Sequence, residues 1–522
     1  MRPSPWHPPI DLSVDEQRVV AKIRRAKLFV FLRRHRHELF DDALQTELAT
    51  IFKDSSKGQP PVPPAQLALA TILQAYTDTS DDEVIEATTL DRRWQLVLDC
   101  LACETAPFGK GTLVRFRAAL IAHDLDRRLI ERTVALAEAH GDFGAKKLRA
   151  ALDSSPLWGA ARVEDTYNLI GHALKKALGV IAAQEGWDLA ALAREAGAEL
   201  VTGSSVKAAL DLNWDEPAER QRALSLVLAA LTGLEGWIDQ HPAIPHDAAL
   251  TASLAAAQQV HAQDVAVDAT GEPSLREGVA RDRRIAIEDA EMRHGRKSRS
   301  QRVDGFKRHF LRDLDRKVVR AVGLTPANAP EATVTDALMA DLAAQEVELA
   351  ELHIDRAYLA SKLVRERPAD LTIICKAWPV RNGDRFTKAA FTLDWQAGTI
   401  RCPNAVVIPF EPGATVRFPE EHCQACPLRA QCTTSQHGRS VSIHADEALL
   451  IELRARQQTT TGRATLRERV GVEHTLAHIK QWQGDRARYR GTRKNLFDVR
   501  RGAILENLHL LIPLMEAQPC AA

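Results

Sequence analysis

The 522-residue chain has no long apolar run. None reaches the roughly 18–20 residues that a bilayer-spanning helix needs, so a helical membrane protein is not expected. Its start, MRPSPWHPPIDLSVDE, shows no cationic segment followed by an apolar block, and no secretory signal is read there. A cytoplasmic address is the expectation. Net charge is also lacking, because 69 Lys and Arg balance 69 Asp and Glu, so overall charge does not point to a nucleic-acid partner. Cysteine is sparse, at eight residues, and in a reducing cytoplasm no disulfide framework is expected. There is no clear internal repeat and no extended low-complexity tail. What remains, 45% apolar and 26% charged residues, is the composition of a folded globular protein. A chain this long exceeds one ordinary core, which predicts several domains or large insertions.

The charge is uneven. From Arg293 to Arg320 there are eleven Lys or Arg against three acids, and from Lys480 to Arg501 eight against two. Local patches govern attraction to phosphate, since charges beyond about 8–10 Å are largely screened. The competing reading of both stretches is a pair of solvated, charge-rich faces. Residues 1–140 carry apolar positions at helical spacing, broken at GQPPVPP, and read as a helical N-terminal domain. One of its helices follows GKGT, with Thr112 as expected cap; Arg115 and Arg117 near its start either meet DNA phosphates or are ordinary surface arginines. A short strand is expected to end at Asp153 (141–160). Ala- and Leu-rich helices follow in an insertion over 161–290. Alternation in GFKRHFLRD and KVVRAVGLTP predicts a hairpin; a helix and the strand VELAELHID then lead to Asp355, within a core over 291–370. A Pro- and Gly-containing, Cys-rich segment covers 371–445, and helices fill 446–522. This order predicts a mixed α/β layer fold.

Arg469, Glu473 and Lys480 are spaced by four and seven residues, so a helix places all three on one stripe. An acid flanked by two cations suits a site gripping a metal ion and a phosphate backbone. Asp153 and Asp355, expected at strand ends, complete a carboxylate trio. Such trios bind magnesium, which prefers oxygen ligands and supports in-line phosphodiester chemistry. Each acid alone is equally a turn residue or helix cap, and Arg469 with Glu473 is equally a simple i,i+4 ion pair.

The spaced residues resemble bacterial insertion-sequence transposases of the DDE type. The family's helical signature Tyr-x2-Arg-x3-Glu-x6-Lys corresponds here to Leu466, Arg469, Glu473 and Lys480, with Leu in place of Tyr. IDRAY, with Asp355 and Tyr358, is similar to the family's second-acid turn, with Ala357 in place of Gly. LDSSPLWGAARVEDTYNLIGHAL looks like a first-acid block, and HGRKSRSQRVDGFKRHFLRDLD and VGLTPANAPE resemble the strand pair and loop between the acids. Asp268 and Asp289 stand as rivals to Asp153 for the first acid. The resemblance implies an RNase H-like catalytic fold with a helical domain before it. It also implies Mg2+ or Mn2+ on Asp153, Asp355 and Glu473, and cleavage of element ends followed by their joining to target DNA. The partners implied are double-stranded DNA, as terminal inverted repeats and target, and a second copy in a dimer on DNA. The implied location is the cytoplasm, at the nucleoid. Arg115, Arg117, Arg296, Lys297, Arg299, Lys307, Arg469 and Lys480 are the expected DNA contacts. Arg486, Arg488, Arg490, Arg493 and Lys494 are expected to hold the DNA flank, and Trp482 either stacks on a base or sits in the core. The alternatives are a catalytically inactive, transposase-derived DNA-binding protein and an RNase H-like nuclease without strand transfer.

Cys402, Cys423, Cys426 and Cys432 form C-x20-C-x2-C-x5-C. Four thiolates with a C-x2-C core suit tetrahedral, structural zinc. An iron–sulfur cluster or unliganded thiols are the competing readings.

Overall fold

The computed structural model describes residues 2–54, 59–140, 147–269, 271–297 and 300–516. At its centre is a mixed sheet of six strands: β1 (Lys147–Trp158), β2 (Arg293–Arg296), β3 (Arg302–Asp313), β4 (Val319–Pro326), β5 (Glu348–Ile354) and β6 (Thr372–Cys375). β3 lies antiparallel to β1, and its other edge carries β4 along Phe306–Arg312 and β2 along Arg302–Gly305. On the far side, β1, β5 and β6 run parallel. From edge to edge the order is β4–β3–β1–β5–β6.

Alternation along the strands gives the sheet two apolar faces. Leu148, Ala150, Leu152, Leu311 and Ile354 point to one face, where helices Thr335–Ala344 and Glu447–Gln458 cover them with Leu338, Leu342, Leu449 and Leu453. Phe306, Phe310, Val319 and Val322 point to the other. There they meet helix Thr492–Glu516 through Phe497, Ile504, Leu505 and Leu508. The N-terminal helices, among them Pro64–Thr77 and Asp126–His140, close the same core from outside. Fully buried Asn507 pins this stack. Its Oδ1 accepts the Val319 amide at 2.7 Å, and its Nδ2 donates to the Val319 carbonyl and to Thr133 Oγ1.

Three local expectations change. β1 does not end at Asp153 but runs on to Trp158, because β3 stays paired with it from Ala150↔Asp313 to Trp158↔Gly305. Thr112 is inside its helix, not at the cap; the helix is Lys110–Ala122, and Gly109 is the N-cap, its carbonyl accepting from the Thr112 and Leu113 amides. The helices between β1 and β2, from Thr166–Glu185 to Ala248–Asp264, form their own core. They stop at Asp264, where VAVDATGEPSL turns into a hairpin, Val265–Val267 against Pro273–Leu275. Among the described residues, no helix is long and apolar enough to cross a membrane.

Candidate active site

Leu152 and Ile354 are register partners in the parallel pair β1–β5, and both point into the Leu338 core. The next residues, Asp153 and Asp355, therefore leave neighbouring strands on the opposite face. Helix Val470–Gln483 lies on that face and packs on β1 and β3, burying Leu476 and Ile479 in the phenylalanine-rich core. Its first turn delivers Glu473. Arg469, at the junction with the preceding helix Thr460–Glu468, joins two of the acids. Nη1 donates to Asp153 Oδ2 at 2.8 Å and Nη2 to Glu473 Oε1 at 2.9 Å. Arg469 thus ties Asp153 to Glu473, and the charge of Asp355 acts on Asp153 from beside them; among the described residues the three acids do not bring their oxygens within 4.8 Å of one another. Asp355 is exposed and caps the short turn Arg356–Tyr358.

Asp153 is largely buried, and that burial raises its pKa above the ordinary 3.8. Arg469 opposes the shift, whereas the charges of Glu473 and Asp355 add to it. A single guanidinium therefore leaves an excess of negative charge, and the donor set fits a hard divalent cation. Beneath the acids, fully buried Tyr358 shares a hydrogen bond of 2.8 Å between its hydroxyl and His309 Nδ1, and His309 Nε2 reaches Thr325 Oγ1 at 3.0 Å. Burial lowers the His309 pKa to about 3, so this ring is neutral.

The rival acids are used elsewhere. Asp268 closes the Val265–Leu275 hairpin by accepting the Glu272 amide. Asp289, 2% exposed, accepts amides from Glu291, Met292 and Gly491.

Of the expected DNA contacts, Arg115, Arg296, Lys297 and Lys480 are exposed, Lys480 pairing with Asp485 at 2.8 Å. Arg117 turns inward to Asp81, over the Tyr489 ring. Lys307 donates to the Ala329 carbonyl at 2.9 Å. Arg299 lies outside the described residues. Trp482 is half-buried and stacks on His509 with ring centroids 4.5 Å apart, which makes it a core residue. The arginines after it each have a partner within the protein. Arg486 binds the Gly159 carbonyl, Arg488 binds Asp78, Arg490 binds Glu288, and Arg493 grips Asp124 and Asp126.

Sequence reasoning missed a second group. Glu351, His353 and Glu468 hold ligand atoms all within 4.8 Å of one another. Glu351 and His353 precede Asp355 at two-residue steps on β5, so they share its face; that spacing was the available signal. Arg149 of β1 already spans the group, donating to Glu351 Oε1 at 2.9 Å and to Glu468 Oε2 at 2.6 Å.

Residues 411–512 match the family model of a transposase DDE domain, and residues 22–119 match that of a transposase domain (DUF772). No curated protein and no solved structure matches the chain. The first match contains Glu473, the signature helix and three of the clustered cysteines; the second covers most of the N-terminal helices. DDE domains generally use divalent metals, bind DNA and act as nucleases or transposases, so the reading as an inactive derivative is not favoured. With one transposase-family match towards each end, the chain is indicated to be an insertion-sequence DDE transposase.

Proposed function

We propose that the chain cuts the ends of its element and joins them to target DNA at Asp153, Asp355 and Glu473, on an RNase H-like sheet. The observation that carries this is the pairing of Asp153 and Glu473, 320 residues apart, to the one guanidinium of Arg469, with the charge of Asp355 acting on Asp153. The sheet order, with three antiparallel strands followed by parallel β1, β5 and β6, supports the fold assignment. The three acids would hold Mg2+ or Mn2+, which when bound activates a water or 3′-hydroxyl and stabilises the leaving oxygen of an in-line displacement. Asp153 and Asp355 offer oxygens from a rigid sheet, and Glu473 offers one from a helix seated on it. Arg469 holds Asp153 and Glu473 in place and is near enough to take a DNA phosphate as its acids become engaged. Lys480, about two turns further along the helix, meets the backbone. Arg115, Arg296 and Lys297 extend the contact to flanking DNA, whereas Arg117 and Lys307 hold the protein together. Joining two ends calls for two copies on the DNA.

The test is Glu473→Gln on DNA carrying the element's terminal repeats. Cleavage and joined products are expected to disappear while binding to the ends stays near wild type. Continued cutting by the variant would refute the assignment.

A further inference from the structure

The Cys-rich segment sits between β6 and helix Glu447–Gln458, and it has little to hold it together. Its core consists of Phe391, Ile400, Phe410, Phe418, Val441 and Ile443, with strands of three residues each. Small units with so little apolar burial are usually stapled by disulfides or a metal, and these cysteines are unbridged. Three separate pieces of chain carry four thiols to one pocket, lined also by Phe386, Phe391, Phe418 and Leu428. Cys402 opens a tight turn, accepting the Ala405 amide and donating its own to Val406, with Ala405 at φ 62°. Cys423 lies in a short helix, Glu420–Gln424; Cys426 follows in the turn, and Cys432 closes helix Arg429–Cys432. The Arg439 amide points at Cys423 Sγ from 3.5 Å. That approach depends on Gly438 (φ 84°), where a Cβ would meet the Phe418 carbonyl oxygen at 2.3 Å. An amide aimed at sulfur is the kind of outer contact that orients a metal-ligating cysteine.

We propose that Cys402, Cys423, Cys426 and Cys432 bind one structural Zn2+, which closes this segment and fixes the path from β6 to the helices ahead of Glu473. Binding displaces the thiol protons to solvent and forms four Zn–S bonds, with no change of oxidation state. The segment joins the catalytic body through Lys388, which donates to the Ser442 carbonyl at 2.8 Å and pairs with buried Glu447. Arg367 pairs with Asp446 at the same junction. A closed pocket therefore sets the start of helix Glu447–Gln458.

The experiment is metal analysis of the full chain purified without chelator, followed by titration with an organomercurial thiol reagent and a zinc dye. One zinc per chain, released as the thiols are consumed, is expected. Replacement by Co2+ should give the visible ligand-field and thiolate charge-transfer bands of a tetrahedral S4 site. Cys423→Ser with Cys426→Ser should lose the ion, and Glu473→Gln should keep it. Zinc-free protein, iron in its place, a native disulfide among the four, or zinc that survives the double substitution would each overturn the assignment. Because the readout is bound metal, it stands or falls separately from DNA cleavage.

Discussion

The cations of the β2–β3 turn and those near Arg501 look alike in sequence but do opposite work. Between Lys480 and Arg501 several of the cations are mortar. Arg493 and Arg500 converge on buried Asp126, and Arg501, 1% exposed, lies between Asp498 and the Phe497 ring while reaching Gln74 on helix Pro64–Thr77. Around the β2–β3 turn, Arg296, Lys297 and Arg302 face solvent, and among the described residues none has an ion-pair partner. What separates the stretches is the supply of buried acids on facing helices, not the density of positive charge. A buried guanidinium without a carboxylate is costly, whereas an exposed one remains free for an outside anion.

Breaking the mortar should have the largest effect. Arg501→Ala leaves Asp498 buried without its guanidinium and should cost about 3–5 kcal/mol, read as a fall in the denaturation midpoint; a midpoint equal to wild type would erase the difference between the two stretches. Tyr358→Phe leaves His309 Nδ1 buried without its hydrogen bond and should cost about 1–3 kcal/mol in the same assay. On the open stretch, Arg296→Ala with Lys297→Ala should shift stability by less than about 0.5 kcal/mol. It should instead lower the slope of log binding constant against log salt by about one for every phosphate that the variant no longer neutralises. An unchanged slope would move the DNA path elsewhere.

The smallest expected change comes from Asp153→Asn. The Asp153 pKa is raised in the fold, chiefly by burial. The stability it lends is thus complete below its ordinary value of 3.8 and is lost as pH rises through the folded value. At neutral pH the ionised group works against folding. The Asn variant should therefore melt at or slightly above wild type at pH 7 and converge with it towards pH 3, while DNA cleavage is lost. A variant that melts clearly lower at pH 7 would contradict the sign.

What could be seen in the sequence was local. Period-two alternation marks β3 and β4, the IDRAY turn marks Asp355, and steps of four and seven mark the face carrying Arg469, Glu473 and Lys480. What could not be seen depends on partners far along the chain. The extent of β1 is set by β3, some 150 residues later. The duties of Arg486, Arg488 and Arg493 are set by Gly159, Asp78 and Asp126. The Glu351 group needs Glu468, and the buried Tyr358–His309 contact joins two strand-bearing segments that no spacing rule links.

The long detour between β1 and its neighbour β3 also sets an order of events during synthesis. β1 emerges from the ribosome with its hydrogen-bonding edges open, and no antiparallel partner exists until residues beyond 302 are made. At about 5–20 residues per second, that wait is on the order of ten seconds or more. The N-terminal helices wait longer still for Thr492–Glu516, the helix that completes their shared interior. The helical insertion has an interior of its own to close early, but Asp153, Asp355 and Glu473 come together only when nearly the whole polypeptide is free.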